Sequence, residues 1–413
     1  MMIVPTLKRL GQDASGMTRR VLIPGAGTGA GNNLIRSLRA GDPPLVVIGA
    51  DIDRLTLCNS TADRNHLLPP ASHPQFIEAL HALIEREGVD LLMPNTDADV
   101  SLASELRDGL PCRVFLPSKA VIECCQDKYE LTEFLRSQGI PVAATYPVSG
   151  LASLEQIFAQ LAPAQRVWCR IRRGYASRGA APANTPAQAC AWIGYWEQVR
   201  GVAATLFTLS EYLPGRNFAC QSVWKHGHLV LIKTVERLAN LGAETRDSGT
   251  SSIASLAKTV NEPQVVKICM EAIRALDPDA SGAFSVDLKQ NATGTPCVTE
   301  INAGRLTTMM NFFDFTGEHN MSATYVHLAL DEPVDIAHAY DVEEDCYFVG
   351  GVDTLPAIFH TDELLEGIED ALVALPPQAA AQPDRETLCP PVTEPALETP
   401  QAADRPGQSS STT

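Results

Sequence analysis

Between Arg20 and Ala50 the chain runs through an apolar trio, Val21-Leu22-Ile23, then a turn of small residues, Gly25-Ala26-Gly27-Thr28-Gly29-Ala30-Gly31, then a second trio, Val46-Val47-Ile48. Asn32 or Asn33 can start a helix after the turn. Strand, glycine turn, helix and strand in that order form a parallel unit, because two parallel strands need a crossover between them. The pattern continues. The sequence predicts a helix over 74–87, a strand at Leu91-Leu92-Met93, a helix over 99–107 and a strand at Val114-Phe115. Strands alternating with helices imply a doubly wound parallel sheet over 19–118.

The pattern changes after a helix over 127–138, which Gly139 and Pro141 stop. Strands are predicted at 167–171, 206–211, 218–224, 229–234, 282–288 and 297–301, with helices over 186–198 and 263–276. A hairpin turn falls at His226-Gly227. Residues 119–335 therefore read as an α+β unit, with 336–374 packed on it. Residues 1–18 read as a flexible extension. After about Leu375 the chain turns to Pro, Ala, Gln, Ser and Thr, so 375–413 reads as a disordered tail.

At 413 residues the chain is long enough for two or three packed units. A formal charge of -17 argues against nonspecific binding to nucleic acid or to anionic membranes, and no apolar run is long enough for a membrane span. The 11 cysteines are odd in number and lack metal-type spacing. With no export signal, reduced thiols and a cytoplasmic location are expected.

Two sets of residues carry chemistry. The first is the glycine turn: Gly25, Gly27 and Ala30 fit Gly-x-Gly-x-x-Ala, and Asp51 lies where a ribose-binding acid would sit in a dinucleotide fold. Taken alone, a dinucleotide site and a mere tight turn are equally good readings. The second set comes in order. It comprises Cys125-Gln126-Asp127-Lys128; Val167-Trp168-Cys169-Arg170-Ile171-Arg172-Arg173-Gly174-Tyr175-Ala176-Ser177-Arg178-Gly179; and Glu211-Tyr212-Leu213-Pro214-Gly215-Arg216-Asn217. Arg237 and the polar stretch 244–252 follow, then strands carrying Asp287 and Thr299-Glu300-Ile301-Asn302. Glu300 and Asn302 are two apart and face one side of a strand, and a hairpin partner can set Asp287 beside them. Two carboxylates on one face repel unless solvated or bridged by a cation, and hard oxygen donors suit Mg2+.

From Val21 to Gly304 this order resembles the ATP-grasp superfamily, in particular its carbamoyl-phosphate-synthetase-like branch. The resemblance implies a Rossmann-like first sheet followed by a two-part ATP-grasp fold. It implies ATP and Mg2+, with Mn2+ as the alternative ion, and an ATP-dependent carboxylate-amine ligase acting on small molecules, with a homodimer as the family-level expectation. Nucleotide contacts are then expected from Lys128, Arg170, Arg172, Ser177, Glu211, Tyr212, Leu213 and Asn217. The metal would be held by Asp287, Glu300 and Asn302. Arg237, Arg246 and Arg305 would stabilise the transferring phosphoryl group, and Thr96 and Asp97 would line the substrate pocket.

The sequence departs from the family pattern at three places. Ile171 replaces a usual Pro, Asn217 stands where many relatives place Glu, and Arg305 comes one position late. Two other readings stay open: an NAD(P)-dependent Rossmann oxidoreductase, and a degenerate ATP-binding regulatory protein.

Overall fold

The computed structural model describes residues 18–41, 45–162, 166–174, 177–243, 248, 251, 253–307, 310–314, 316–349 and 368–370. The chain divides into one unit over Met1–Leu375 and another over Pro376–Thr413. The expected tail and all but one residue of the expected N-terminal extension lie outside the described residues.

The first sheet is built from β1 (Arg19–Pro24), β2 (Leu45–Asp51), β3 (Arg64–Leu67), β4 (Leu91–Leu92) and β5 (Arg113–Val114). Helices α1 (Gly29–Ala40), α2 (Arg54–Leu57), α3 (Phe76–Glu87) and α4 (Asp97–Leu106) connect them. All its pairings are parallel. Helix α4 begins two residues before the expected start because Thr96 and Asp99 form a reciprocal capping box. Helices α5 (Lys119–Gln126) and α6 (Lys128–Ser137) lead out of this sheet, and Asp127 between them caps α6.

A four-stranded antiparallel sheet follows, made of β6 (Thr145–Pro147), β7 (Val167–Ile171), β8 (Ala181–Ala183) and β9 (Phe207–Glu211) in the order β6-β9-β7-β8. Helices α7 (Leu154–Leu161) and α8 (Pro186–Arg200) cover it. Strand β8 was not anticipated. Pro182 at its centre donates no ladder bond, which suits its edge position.

The remaining strands are β10 (Asn217–Lys225), β11 (His228–Asn240), β12 (Ala254–Thr259), β13 (Gly282–Gln290), β14 (Pro296–Ala303), β15 (Tyr347–Val349) and β16 (Ile368–Asp370). Helices α9 (Pro263–Leu276), α10 (Met310–Asp314) and α11 (Met321–Ala329) lie among them. The second six-stranded sheet has the order β14-β13-β10-β11-β12-β15, whereas β16 joins the first sheet, giving β16-β3-β2-β1-β4-β5.

Two apolar clusters join the first sheet to the second six-stranded sheet: Leu22 and Ile48 share one with Phe218 and Phe284, and Val21 and Ile23 share the other with Val223 and Val235. The four-stranded sheet has its own cluster, with Val167, Cys169 and Ile171 packed against Leu154, Ile193 and Phe207. The separate core leaves a cleft between this small lobe and the rest. No helix among the described residues is long and apolar enough to cross a membrane.

Candidate active site

The cleft is a cavity of about 690 Å³, within the roughly 300–1,000 Å³ range of small-ligand sites. Six cations border it: Lys128, Arg170, Arg178, Arg237, Lys289 and Arg305. Four carboxylates face them: Asp97, Glu211, Asp287 and Glu300. In a chain of net charge -17 this is a local excess of positive charge, the kind of field that attracts anions.

Strand β7 supplies the small-lobe wall. Val167, Cys169 and Ile171 are buried in the lobe's core, so the intervening Trp168 and Arg170 turn to the cavity. One Arg170 nitrogen donates to the Thr299 carbonyl at 2.9 Å, and its buried Nε has no partner among the described residues. Burial pushes the Arg170 guanidinium pKa down, and the nearby Glu300 carboxylate opposes that.

Arg172, expected beside Arg170, does not border the cavity. It lies just past the end of β7, where strand alternation no longer directs it. It binds Asp127 at 2.9 Å and Glu130 at 3.0 Å and stacks over Tyr129. Burial pushes the Asp127 carboxyl up, but Arg172 and the N–H groups of Glu130 and Tyr129 outweigh this and hold it below its ordinary value. Its neighbour Lys128 is buried. The ammonium donates to the Gly174 carbonyl at 2.7 Å and lies 3.4 Å from Glu300.

The loop after β7 brings Ser177 to the cavity at φ 57°, and the Gly179 carbonyl accepts from Trp192 Nε1 at 3.0 Å. Tyr175 and Ala176, and Arg246 in the later polar stretch, lie outside the described residues.

Strand β9 ends at Glu211, whose N–H donates to the Ala144 carbonyl at 2.8 Å. Tyr212 and Leu213 then leave the sheet and cross toward β10. The crossing needs glycine at 215, where a Cβ would lie 2.6 Å from Gln290 Cβ. Glu211, Tyr212, Leu213 and Asn217 all border the cavity.

The opposite wall is the strand pair β13–β14, in which Asp287 stands opposite Glu300 and Ser285 opposite Asn302. A bulge follows Asp287 and turns Thr299 so that its hydroxyl donates to the Asp287 carbonyl at 3.0 Å while its own carbonyl meets Arg170. Each oxygen donor has a cation. Arg237 binds Asp287 at 2.7 Å, Lys128 lies near Glu300, and Arg305 donates to Asn302 Oδ1 at 2.7 Å. The carboxylate repulsion is thus balanced here by side chains. Asp287, Glu300 and Asn302 still present an all-oxygen set of the kind a hard divalent ion takes. Among the described residues no group of three or more His, Cys, Asp or Glu converges to hold a metal. Any remaining coordination positions would fall to a ligand and water.

The late Arg305 is reached through Gly304, at φ 91°, where a Cβ would lie 2.8 Å from Val100 Cγ1. From there Arg305 Nε donates to Asp97 at 2.6 Å. The extra residue therefore aims the arginine at the first sheet, where Thr96 and Asp97 border the same cavity. Sequence reasoning missed Lys289, Asn240 and Thr307, all of which border the cavity, as does Ser251 of the polar stretch 244–252. Lys289 was within reach: it shares strand parity with Ser285 and Asp287.

No protein-family model matches the chain, and no curated protein does. Solved structures do match. Carboxyaminoimidazole ribonucleotide synthase from Aspergillus clavatus, complexed with ATP, aligns at TM-score 0.58 and 17% identity over 78% of this chain and 80% of that one. Biotin carboxylase from Campylobacter jejuni aligns at TM-score 0.60 and 12% identity over 80% and 74%. L-amino acid ligase from Bacillus licheniformis aligns at TM-score 0.56 and 15% identity over 76% and 74%. The chain has the ATP-grasp fold. The 690 Å³ cavity lies between the small lobe and the larger sheet of that fold.

Proposed function

We propose that the protein is a Mg-ATP-dependent ligase that activates a carboxylate as an acyl phosphate for attack by an amine. The observation that carries this reading is the meeting of six cations with the Asp287–Glu300–Asn302 oxygen set in one cavity of an acidic ATP-grasp chain.

Tyr212 and Leu213 would meet the base, and Asn217 the ribose. Lys128, Arg170 and the loop around Ser177 would hold the phosphates. Asp287, Glu300 and Asn302 would hold Mg2+, which when bound spreads the charge that develops on the β- and γ-phosphates. Arg237 and Arg305 would stabilise the transferring phosphoryl group. In the first half-reaction a substrate carboxylate oxygen attacks the γ-phosphorus and ADP leaves with the bridging electron pair. In the second, the amine nitrogen forms a bond to the acyl carbon. Phosphate departs with the C–O electron pair, and the amine's surplus proton passes to phosphate or solvent. Thr96 and Asp97 would line the acceptor side.

The dinucleotide reading meets a steric obstacle. A Cβ on Gly27 would lie 1.7 Å from the Thr56 carbonyl oxygen, so the place a pyrophosphate would approach is filled by α2.

The test is ADP release from the full chain with Mg-ATP and pools of amino acids and small carboxylic acids. Stimulation by one pool, lost in Glu300→Ala, is expected. ATP binding with no stimulation by any pool would instead favour a regulatory nucleotide-binding protein.

A further inference from the structure

Strand β11 carries a lysine on a face that is otherwise apolar here. Leu231, Lys233 and Val235 alternate onto one face, and each is at most 1% exposed. Leu231 and Val235 belong to the apolar cluster that contains Phe312 and Phe313. An ammonium in such a place is costly unless it is paired and hydrogen-bonded, and the ligase chemistry makes no use of it.

Lys233 has more acceptors than protons. Its ammonium donates to the carbonyls of Phe313 at 2.9 Å, Thr316 at 2.6 Å and His319 at 2.7 Å. Those bonds occupy all the protons an ammonium has. A further oxygen, Asp341 Oδ2, lies 3.1 Å away. That carboxylate is itself fixed. The Glu318 and His319 N–H groups donate to it at 2.8 and 2.7 Å, and a Cβ on Gly317 would lie 2.6 Å from its Oδ1. Asp314, the other buried carboxylate nearby, is taken up by the Met321 N–H and the Ser322 hydroxyl. Carbonyl oxygens closing on one point are what replaces the hydration shell of a potassium ion in a selective site. The shell is too wide for Mg2+, which demands oxygens at about 2.0–2.1 Å.

The sheet ties this shell to the cavity. Asn302, Ser285, Gln221 and Lys233 stand directly opposite one another across β14, β13, β10 and β11, so they share a face. Asn302 and Ser285 border the cavity. Gln221 is fully buried and accepts from the N–H of Thr307, another residue of the cavity wall, at 2.9 Å. The chain leaving β14 is thus held by Gln221 at Thr307 and then by Lys233 at Phe313, Thr316 and His319.

We propose that the Phe313, Thr316 and His319 carbonyls and the Asp341 carboxylate form a monovalent-cation site, of the size potassium or ammonium takes, with the Lys233 ammonium as its tethered resident ion. A dissolved ion there would come and go with the salt of the medium. A tethered one fixes the chain beyond the cavity wall whatever the salt. The site does not rest on the ligase reading.

The test is the melting temperature of the full chain, without nucleotide, in potassium, ammonium, lithium and tetramethylammonium chlorides of equal ionic strength. The native protein is expected to melt nearly alike in all of them, because its site is filled. Lys233→Ala keeps the Cβ and removes the propylammonium beyond it. In lithium or tetramethylammonium it should melt about 5–10 °C below the native protein, as loss of one partner of a buried pair does. Potassium or ammonium should return most of that loss by binding the folded state. Propylammonium chloride, which supplies the missing atoms one for one, should return the most. Adding Asp341→Asn should raise the salt concentration needed by on the order of tenfold. If Lys233→Ala folds only with a cation, the same order is read from the yield of refolded protein. Equal behaviour of Lys233→Ala in every salt overturns the proposal, and so does a cation order in the native protein as large as the variant's. Neither readout involves ATP, so ADP release remains a separate test of the ligase reading.

Discussion

The glycine-rich segment 25–31, which reaches the cavity through Ala30, and the strand pair β13–β14 border the same space by opposite means. The turn does so by having almost no side chains. Its Gly27 and Gly31 let the backbone press against Thr56 and Gly25. The strand pair projects side chains instead, and Glu300, Asp287 and Asn302 are each held by a cation from another segment: Lys128 at the start of α6, Arg237 from β11, Arg305 beyond β14. The turn is therefore sensitive to volume and the strand pair to charge. A volume-neutral change of charge should be felt at one and a charge-neutral change of volume at the other.

The largest expected effect is at Glu300. Glu300→Gln keeps the shape and removes the charge, and should lower substrate-stimulated ADP release by on the order of a hundredfold or more while leaving the melting temperature nearly unmoved. An equal loss of stability would show that Glu300 serves mainly to neutralise Lys128, and the contrast would fail there.

Next is Gly27→Ala, the converse. One methyl group against the Thr56 carbonyl should cost stability at or above the top of the roughly 1–3 kcal/mol range for overpacking, seen as a lower denaturant midpoint. What activity survives per folded molecule should be close to native. A stable Gly27→Ala would mean that α2 gives way easily, and the steric case against a dinucleotide at the turn would fall.

The same contrast governs what could be read from the chain alone. The parallel sheet was legible because its buried strands are apolar trios such as Val21-Leu22-Ile23. Strand β3, reading Arg-Asn-His-Leu, and β12, reading Ala-Ser-Leu-Ala-Lys-Thr, were not, since neither carries a clear apolar run. They are specified by the neighbours they pair with. At the candidate site, strand parity correctly put Glu300 and Asn302 on one face and would have given Lys289 too. Arg172, expected from the resemblance, does not reach the cavity because β7 ends one residue before it. The bulge at Thr299 and the reach of Arg305 through Gly304 are tertiary facts. Each depends on a contact with a distant residue, Arg170 in one case and Asp97 in the other.

A third, smaller effect separates the two arginines of β7. Arg170→Met should weaken ATP by on the order of tenfold, as loss of a charge-assisted contact does. Arg172→Met should leave ATP affinity within about twofold, because Arg172 serves Asp127 and not the cavity. Its signature lies in acid. The Asp127 carboxyl is held below its ordinary value, so its contribution to stability is present above about pH 4 and is lost as pH falls through the lowered folded value. Removing Arg172 raises that folded value, so the acid limb of a melting-temperature profile should move to higher pH. An unmoved acid limb would remove Arg172 from this role.

The smallest effect concerns the proposed ribose end, where Asn217 stands in place of the acid that the sequence resemblance implies. Asn217 stands opposite Lys289 in the β10–β13 register, and Lys289 lies over the Tyr212 ring at 5.2 Å, with Arg166 at 5.2 Å from the same ring. Restoring the acid with Asn217→Glu alone should gain little affinity for ATP, because the new carboxylate meets the Lys289 ammonium before it meets a ribose hydroxyl. In a Lys289→Leu background the carboxylate is free, and adding Asn217→Glu should then tighten ATP by about threefold, the size of one modest hydrogen bond. The non-additivity is the decisive quantity. Equal gains in the two backgrounds would show that Lys289 does not reach position 217. The cation over Tyr212 would then belong to the base-facing wall alone.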